Sequence, residues 1–456
     1  MNPPSEAAVL MPRPKPLERF LRLFADVQAG EGAKALLLMT TVFLILTGYS
    51  LIKPVREALI ITAGGAELKT YLSGVMALLL LLVVPAYGAL ASRVNRIRLI
   101  TTVILIFVSN LVAFFALRGL NALYYAVAFY IWIGIFNVCV VAQFWSFAND
   151  VYDPAQGKRL FAIVGVGSTV GAIAGAAIAK LMGKRLGPYV PMLLCAGVLL
   201  VCLVLFHVIH ALDRREPRDR VRASQAAADQ PLGGAGALKL LMDNRYLLLI
   251  GLLVLLANWV NTNGEYIISK TFKVMADRMV AAGQTGGLPA EAFQKQLALE
   301  FFAGYQLAVN ILTATLQLFV VSRIFKWFGV RVALFVLPLI AMFGYGMMAW
   351  VPLLAYIRVA KIAENGCDYS IQNTARHALW LPTTREEKYK AKAAMDTFPQ
   401  RMGDVLSACV VWLAARLVLP VRDMAVLNLV LIVLWLLVVV GIARQHRRLV
   451  AEEGRV

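Results

Sequence analysis

The amino-acid sequence predicts an all-α integral membrane protein with twelve transmembrane helices in two six-helix halves. Three observations predict this fold class. Of the 456 residues, 60% are hydrophobic and only 16% are charged, whereas a soluble domain carries about 25% charged residues. The apolar residues gather in runs long enough to cross a bilayer. No run alternates with the period of two that a barrel wall requires. A water-soluble enzyme is therefore excluded.

Each predicted span is close to the about 20 apolar residues that a helix needs to cross a hydrocarbon core of roughly 30 Å. Backbone polar groups cannot stay unpaired in lipid, so these runs must form helices. The twelve spans cover residues 35–61, 69–91, 99–118, 122–148, 160–182, 189–212, 245–271, 301–323, 331–350, 352–374, 393–420 and 424–444.

Basic residues in the connections predict the orientation. Lys and Arg follow every even-numbered span, and such residues collect on the cytoplasmic side. Both termini are therefore expected in the cytoplasm, with the chain in the inner membrane. Lys184 and Arg185 are an exception on the other side. We attribute the formal net charge of +19 to the same basic connections. Long apolar runs separate the basic residues and leave no continuous basic face for nucleic acid.

Breaks in the apolar pattern predict the domain boundaries. Leu17 to Val27 has the spacing of a basic amphipathic helix on the inner leaflet, with a solvated lead-in as the alternative. A charge run followed by small, Gly-rich sequence indicates a linker. The predicted parts are a cytoplasmic segment 1–33, a first six-helix half 34–212, a cytoplasmic linker 213–243, a second half 244–445 and a cytoplasmic tail 446–456.

Two sequence landmarks recur at nearly the same offset. Arg93 after the second span and Arg323 after the eighth each follow a Ser and are 230 residues apart. Pro154 and Pro382 precede the basic runs after the fourth and tenth spans and are 228 residues apart. These landmarks indicate a duplicated six-helix unit with parallel repeats, as in a major-facilitator-like architecture. Chance similarity is the alternative.

Charges within the first span are the first candidate site. Each charge costs about 2.5–3.5 kcal/mol at a helix centre. Lys53, Arg56 and Glu57 share one helix face, so they must face a watery cavity or the bundle interior. We predict that Lys53 and Arg56 bind an anionic group and that Glu57 is their partner acid. A purely structural ion pair between helices is the alternative.

The second half offers matching polar residues. By the duplication, Glu265 and Asn261 in the seventh span face the first span across a shared cavity, and polar contacts between helices are the alternative. The charged stripe of the tenth span fits ligand contacts and gating ion pairs equally well. Its members are Arg358 and Lys361, which we assign to the substrate, with Glu364 and Asp368, while the eleventh span adds Asp396, Arg401 and Asp404.

Charges at the cytoplasmic ends of the spans are candidates for gating. The predicted gating residues are Arg93, Asp150, Arg159, Arg323 and Lys392. Three glycines of the fifth span, at 167, 171 and 175, predict close helix packing.

The sequence shows no motif for a metal site or for catalysis. The five Cys and four His lack metal-site or disulfide spacing, and we find no phosphate-binding loop or nucleophile motif. We therefore expect no cofactor, no metal and no enzyme activity.

Several strings together resemble the plastid and bacterial ATP/ADP translocase family, non-mitochondrial nucleotide carriers related to the major facilitator superfamily. The resemblance implies twelve helices and, in many members, exchange of ATP for ADP. It places the family's important base of the Lys-Pro motif on Lys53 and its important acid on Glu265. The strings lie at 49–57, 144–150, 157–161, 263–265, 368–370 and 390–396.

The chain departs from that family in two places. No Asp or Glu occurs from Gly119 to Asn149, where members have an acid, and Gly403-Asp404 stands where members often have Gly-Lys. The predicted function is secondary transport of nucleotides, with ATP/ADP-type exchange by alternating access in a monomer. The expected partners are a small anionic substrate and the lipid bilayer, without nucleic acid. A proton-coupled carrier of another organic anion, using Glu265 or Asp396, and a non-transporting scaffold or sensor are the alternatives.

Overall fold

Long helices make up the fold. The computed structural model describes residues 27–28, 31–91, 93–152, 154–213, 244–380, 383 and 398–453, and no β-strand occurs within these ranges. The all-α prediction is therefore confirmed. The helices are α1 Gly32–Ala91, α2 Arg96–Ala116, α3 Ala122–Val151, α4 Pro154–Leu186, α5 Val190–Asp213, α6 Arg245–Ala281, α7 Ala290–Phe319, α8 Val321–Trp350, α9 Leu354–Cys367, α10 Asn373–Ala378, α11 Phe398–Arg416 and α12 Val421–Glu453.

Helix α1 contains the first two predicted spans. It is interrupted at Gly65, whose φ of 75° is a left-handed conformation that glycine adopts without steric cost. Glu57 and Lys69 form an ion pair across this break, although 12 residues of straight helix would separate them by roughly 18 Å. The chain therefore turns back at Gly65, and α1 crosses the bundle twice.

The described part contains nine helices that are long and apolar enough to cross a membrane, with α1 counted once. The tenth predicted span coincides with α9, a π-helical turn at Asp368–Gln372, and α10. The eleventh coincides with α11, which has 19 residues. Both are shorter or more charged than the nine, and twelve helices are consistent with the structure. The division into two halves stays a prediction.

Two predicted segments lie almost wholly outside the described residues. The amphipathic helix contributes only Val27, and the linker contributes only Asp213. The helix turns at Gly65, Gly187 and Gly283 lie at one end of the bundle, which we call the Gly65 end. Glu31, Asp213 and Arg245 lie at the other, which we call the terminal end.

Helix α4 packs directly against the backbone of α1. A Cβ atom on any of its three spaced glycines would overlap a carbonyl oxygen of α1. The Thr47 hydroxyl donates to the Gly171 carbonyl at 3.2 Å across the same contact. The predicted close packing of this glycine run is confirmed. The facing pairs are Gly167 with Met39, Gly171 with Phe43 and Gly175 with Thr47.

Candidate functional site: a charged cavity between the halves

A cavity of about 310 Å³ lies in the middle of the bundle. This volume is at the small end of the range for small-molecule sites, which is about 300–1,000 Å³. Its wall combines α1 and α3 of the first predicted half with α6, α7, α9, the π-helical turn and α11 of the second. The charged residues on the wall are Lys53, Arg56, Glu57, Lys69, Glu265, Arg401 and Asp404.

The first-span charges share one wall of this cavity. Their spacing of three and four residues in α1 places Lys53, Arg56 and Glu57 on the same face. Arg56 forms an ion pair with the neighbouring Glu57, and its Nε lies 3.1 Å from Glu57 Oε1. The Arg56 guanidinium also lies over the Tyr130 ring, 4.6 Å from its centroid. Arg56 is therefore held by the protein before any substrate arrives.

Lys53 differs from the other bases on the wall. It lines the cavity, and within the described ranges its ammonium forms no hydrogen bond or ion pair. Glu57, predicted as its partner acid, is instead engaged by Arg56 and Lys69. The cavity thus presents one cation that the described protein groups do not neutralise.

Among the described charged residues on the wall, Lys69 is the one that sequence reasoning missed. Its Nζ lies 2.8 Å from Glu57 Oε2 and 3.5 Å from Glu265 Oε2, and it donates to Ser269 Oγ at 3.0 Å. The residue is only 6% exposed. In the sequence it is the first residue of the second span, where a lysine is ordinarily an interfacial anchor. In the sequence, the nearby acid Glu67 is the one indication that the charges at the start of this span do more than anchor it at the membrane interface.

Glu265 is bonded from both halves of the bundle. Tyr305 donates its hydroxyl to Oε1 at 2.9 Å, and Asn365 donates to the same oxygen at 3.1 Å. Asn365 also donates to the Tyr305 hydroxyl at 2.7 Å. Together with Lys69, these contacts bring α1, α6, α7 and α9 to one carboxylate. The structure therefore places the predicted Glu265 opposite the first-span charges.

Asp404 provides a third acid on the wall, in α11. Its Oδ1 accepts hydrogen bonds from Asn258 Nδ2 and Thr262 Oγ1, each at 2.8 Å. Its Oδ2 lies 3.6 Å from Arg401 Nη1, which is longer than an ordinary hydrogen bond. Oδ1 thus accepts from two neutral donors, and Oδ2 faces the Arg401 guanidinium.

The remaining three predicted substrate residues differ in whether they line the cavity. Asn261 lines the cavity, and its Oδ1 accepts from Lys361 Nζ at 2.7 Å. Lys361 is 0% exposed and forms an ion pair with Glu364 at 3.1 Å. Arg358 lies over the Phe301 ring at 5.1 Å. Neither Lys361 nor Arg358 is among the residues of the described part that line the cavity.

Four of the five predicted gating residues are described, and they lie at the terminal end. Asp150 pairs with Arg96 of the same predicted half at 3.0 Å, and Arg159 pairs with Glu31 of the predicted N-terminal segment at 2.9 Å. Arg93 is exposed. Arg323 donates to the carbonyl of Phe319 in the preceding turn. Lys392 lies outside the described residues.

The Gly65 end contains a further ion pair between the predicted halves. Glu67 of α1 pairs with Lys270 of α6, and the Tyr266 hydroxyl donates to the same carboxylate at 3.2 Å. Deeper in the bundle, Asn310 donates to the Ala172 carbonyl at 2.9 Å. The sequence placed Lys270 after Glu265 but did not connect it with Glu67, because 203 residues separate the pair.

A central polar cavity between two helical bundles is the arrangement of secondary transporters. The sequence pattern of the Major Facilitator Superfamily matches residues 35–363. The chain belongs to the Major Facilitator Superfamily. It is therefore a multi-pass membrane transporter of the major facilitator type, and not an enzyme.

One curated protein has a similar sequence. The chain is 23% identical to "ADP,ATP carrier protein 2, chloroplastic" of Arabidopsis thaliana, over 79% of this chain and 65% of that protein. This chain thus spans less than two thirds of that relative's length. The match agrees with the family resemblance read from the sequence.

Solved structures of major facilitator transporters share the fold. The nucleoside transporter NupG superposes with a TM-score of 0.57 at 13% identity, covering 90% of this chain and 98% of that one. A bacterial homologue of the human lysosomal transporter Spinster, in an inward-facing conformation, has a TM-score of 0.57 at 14% identity, covering 91% and 98%. A peptide transporter of the POT family in complex with sulfate has a TM-score of 0.57 at 12% identity, covering 94% and 99%.

Proposed function

We propose that this transporter moves a nucleotide across the membrane by alternating access, in exchange for a second nucleotide. The observation that carries the proposal is the Lys53 ammonium, which faces the central cavity without a partner among the described residues. A charge in that position is costly unless a ligand or water neutralises it. An anionic cargo supplies the missing partner.

The cavity also suits the rest of a nucleotide. Aromatic rings stack on nucleobases with little dependence on base identity, and amide groups hydrogen-bond to ribose and base edges. The wall that contains Lys53 carries both kinds of group. The aromatic residues are Tyr49, Tyr130, Phe302, Tyr305 and Tyr369, and the amides include Asn137, Asn258, Asn261, Gln306 and Gln400.

The likeness to known carriers supports the same cargo class. The chloroplastic relative is named for ADP and ATP, and one structural neighbour is a nucleoside transporter. ATP and ADP are accordingly the first pair to test. In this proposal, Lys53 and Arg56 bind the phosphate, and Asn261 contacts the sugar or base. Glu265, which is paired with Lys69, responds to the negative charge of the bound cargo.

Alternating access assigns a role to the two ends of the bundle. The Glu67–Lys270 pair connects the predicted halves at the Gly65 end, whereas at the terminal end Asp150 pairs with Arg96 of its own predicted half. We assign Arg93, Asp150, Arg159, Arg323 and Lys392 to the gate that closes the terminal end in the other conformation. With both termini cytoplasmic in the inner membrane, this gate faces the cytoplasm.

Uptake into proteoliposomes tests the proposal. Purified monomeric protein is reconstituted with or without internal ADP, and uptake of labelled ATP and ADP is measured from the outside. Exchange requires that internal nucleotide accelerate uptake and that Lys53→Ala abolish the acceleration. Uptake driven by a pH gradient without internal nucleotide would instead favour a proton-coupled carrier that uses Glu265. No uptake of any nucleotide would contradict the proposal.

A further inference from the structure

Resting on the proposed function, we infer that the preferred cargo is a nucleotide with a single phosphate, and that Asp404 sets this limit. The argument begins with the charges on the cavity wall. Of the described charged residues, four are bases and three are acids, so the described wall has a formal charge of +1. The bases are Lys53, Arg56, Lys69 and Arg401, and the acids are Glu57, Glu265 and Asp404.

All three acids already have a base. Glu57 is paired with Arg56 and Lys69, Glu265 with Lys69, and Asp404 with Arg401 at 3.6 Å. Among the described residues, Lys53 is the one base on the wall without a carboxylate, and Arg56 can join it at an anion because Lys69 still balances Glu57. Lys69 and Arg401 become available only if the cargo displaces a carboxylate, which would leave that carboxylate without its partner at the cost of its desolvation.

The number of phosphates therefore matters. A phosphate monoester carries about −1.5 to −2 charges at neutral pH, and each further phosphate in a di- or triphosphate adds about one more. A single phosphate comes close to the charge that Lys53 and its surroundings can balance. Two or three phosphates leave charge unbalanced inside a bundle, where the dielectric is low and the interaction is correspondingly stronger than in water.

Asp404 strengthens this selection in two ways. Its Oδ1 is occupied by Asn258 and Thr262, and its Oδ2 has Arg401 as one partner at 3.6 Å. The remaining lone pair of Oδ2 can accept from a hydroxyl on the cargo, such as those of a ribose. The same carboxylate repels a second or third phosphate. The wall thus offers a cation at Lys53 in α1 and an acceptor at Asp404 in α11, which suits a molecule with one anionic group and several hydroxyl donors.

Equilibrium binding of AMP, ADP and ATP to the full-length purified transporter tests the inference, with EDTA present so that no metal ion masks the phosphates. We expect the parent to bind AMP more tightly than ADP, and ADP more tightly than ATP. Asp404→Asn retains an acceptor for Asn258 or Thr262 and removes one negative charge. It should shift the ATP-to-AMP affinity ratio roughly tenfold toward ATP. Arg401→Gln removes one positive charge and should shift the ratio toward AMP.

Asp423→Asn is the matched control, because Asp423 is an exposed acid in the first turn of α12 and should leave the ratio unchanged. ATP binding at least as tightly as AMP in the parent would overturn this inference and leave the proposed function standing. An unchanged ratio in Asp404→Asn, with a normal melting temperature, would overturn the role of Asp404. Failure of all three nucleotides to bind would instead overturn the proposed function.

Discussion

The Nζ atom of Lys69 lies 3.5 Å from Oε2 of Glu265, and this ion pair connects the two predicted halves of the transporter beside the central cavity. The same ammonium lies 2.8 Å from Glu57. One buried base therefore neutralises carboxylates from both sides of the cavity. Without it, the two acids would face each other across the site with less compensation.

Lys69→Met should therefore lower the thermal stability of the purified protein. Removing one partner of a buried pair costs about 3–5 kcal/mol. The double variant Lys69→Met with Glu265→Gln should recover much of this loss, since Arg56 still balances Glu57. Lys326→Met, at an exposed position, is the control and should change the unfolding free energy by less than about 0.5 kcal/mol. Equal melting temperatures for all three variants would show that Lys69 is not a structural bridge.

Lys53→Ala should keep near-normal thermal stability and weaken nucleotide binding, in contrast to Lys69→Met. Because Glu57 is held by Arg56 and Lys69, the loss of Lys53 leaves no carboxylate unpaired. A charge-assisted contact contributes about 1.5–3 kcal/mol, or roughly 10- to 150-fold in affinity. Calorimetry with the best-binding nucleotide measures the loss, and a melting curve without ligand measures stability. Unchanged affinity would remove Lys53 from the site.

The sequence predicted the parts of this site that lie on one helix. Lys53, Arg56 and Glu57 are local neighbours in an apolar run, so helical spacing and the cost of a charge in lipid sufficed to place them together. The pairing of Glu57 could not be predicted in the same way. Its second partner, Lys69, comes close only because the chain turns back at Gly65, and a single sequence carries no direct signal of that contact.

The tenth span illustrates a second limit. Its four charged residues formed one stripe in the sequence. In the structure, Lys361 and Glu364 pair with each other outside the cavity wall, and Arg358 lies against Phe301. Periodicity shows which residues share a helix face, but it does not show whether that face meets a cavity or a neighbouring helix. The all-helical fold was easier to predict, because the length of an apolar run is a property of the sequence alone.

Helix packing in the first half gives a prediction with a control on the same helix. Gly171→Ala places a Cβ against the Phe43 carbonyl of α1 and should destabilise the protein by about 1–3 kcal/mol, the usual cost of overpacking. Gly165→Ala, where a Cβ meets no atom within 4 Å, should be neutral or slightly stabilising, because alanine favours helix. Melting curves of the two variants should separate clearly. Equal curves would contradict the close contact of α4 with α1.

The orientation predicted from basic residues can be tested with two exposed positions. Gln284 lies at the Gly65 end and Lys326 at the terminal end. In a variant without the five native cysteines, Gln284→Cys should react with a membrane-impermeant thiol reagent in intact cells, and Lys326→Cys should react only after the cells are opened. The reverse pattern would invert the assignment of cytoplasmic ends.

The last prediction concerns the Glu67–Lys270 pair, which closes the Gly65 end between α1 and α6. Both side chains are partly exposed, at 25% and 37%, so the pair contributes about 0.2–1 kcal/mol. Lys270→Met should therefore open this end about 1.5- to 5-fold more often. The readout is the rate at which Ser73→Cys on the cavity wall reacts with an impermeant thiol reagent in intact cells, in the variant without native cysteines.

Two further variants show whether the effect belongs to the contact between halves. Lys273→Met breaks an ion pair with Asp277 inside α6 and a hydrogen bond to Gln294 of α7. It should leave the labelling rate unchanged, because both helices belong to the second predicted half. Exchanging the charges, with Glu67→Lys and Lys270→Glu together, should return the rate toward that of the parent. A rate that stays raised in the exchanged variant would mean that packing by these side chains, rather than their opposite charges, keeps the Gly65 end closed.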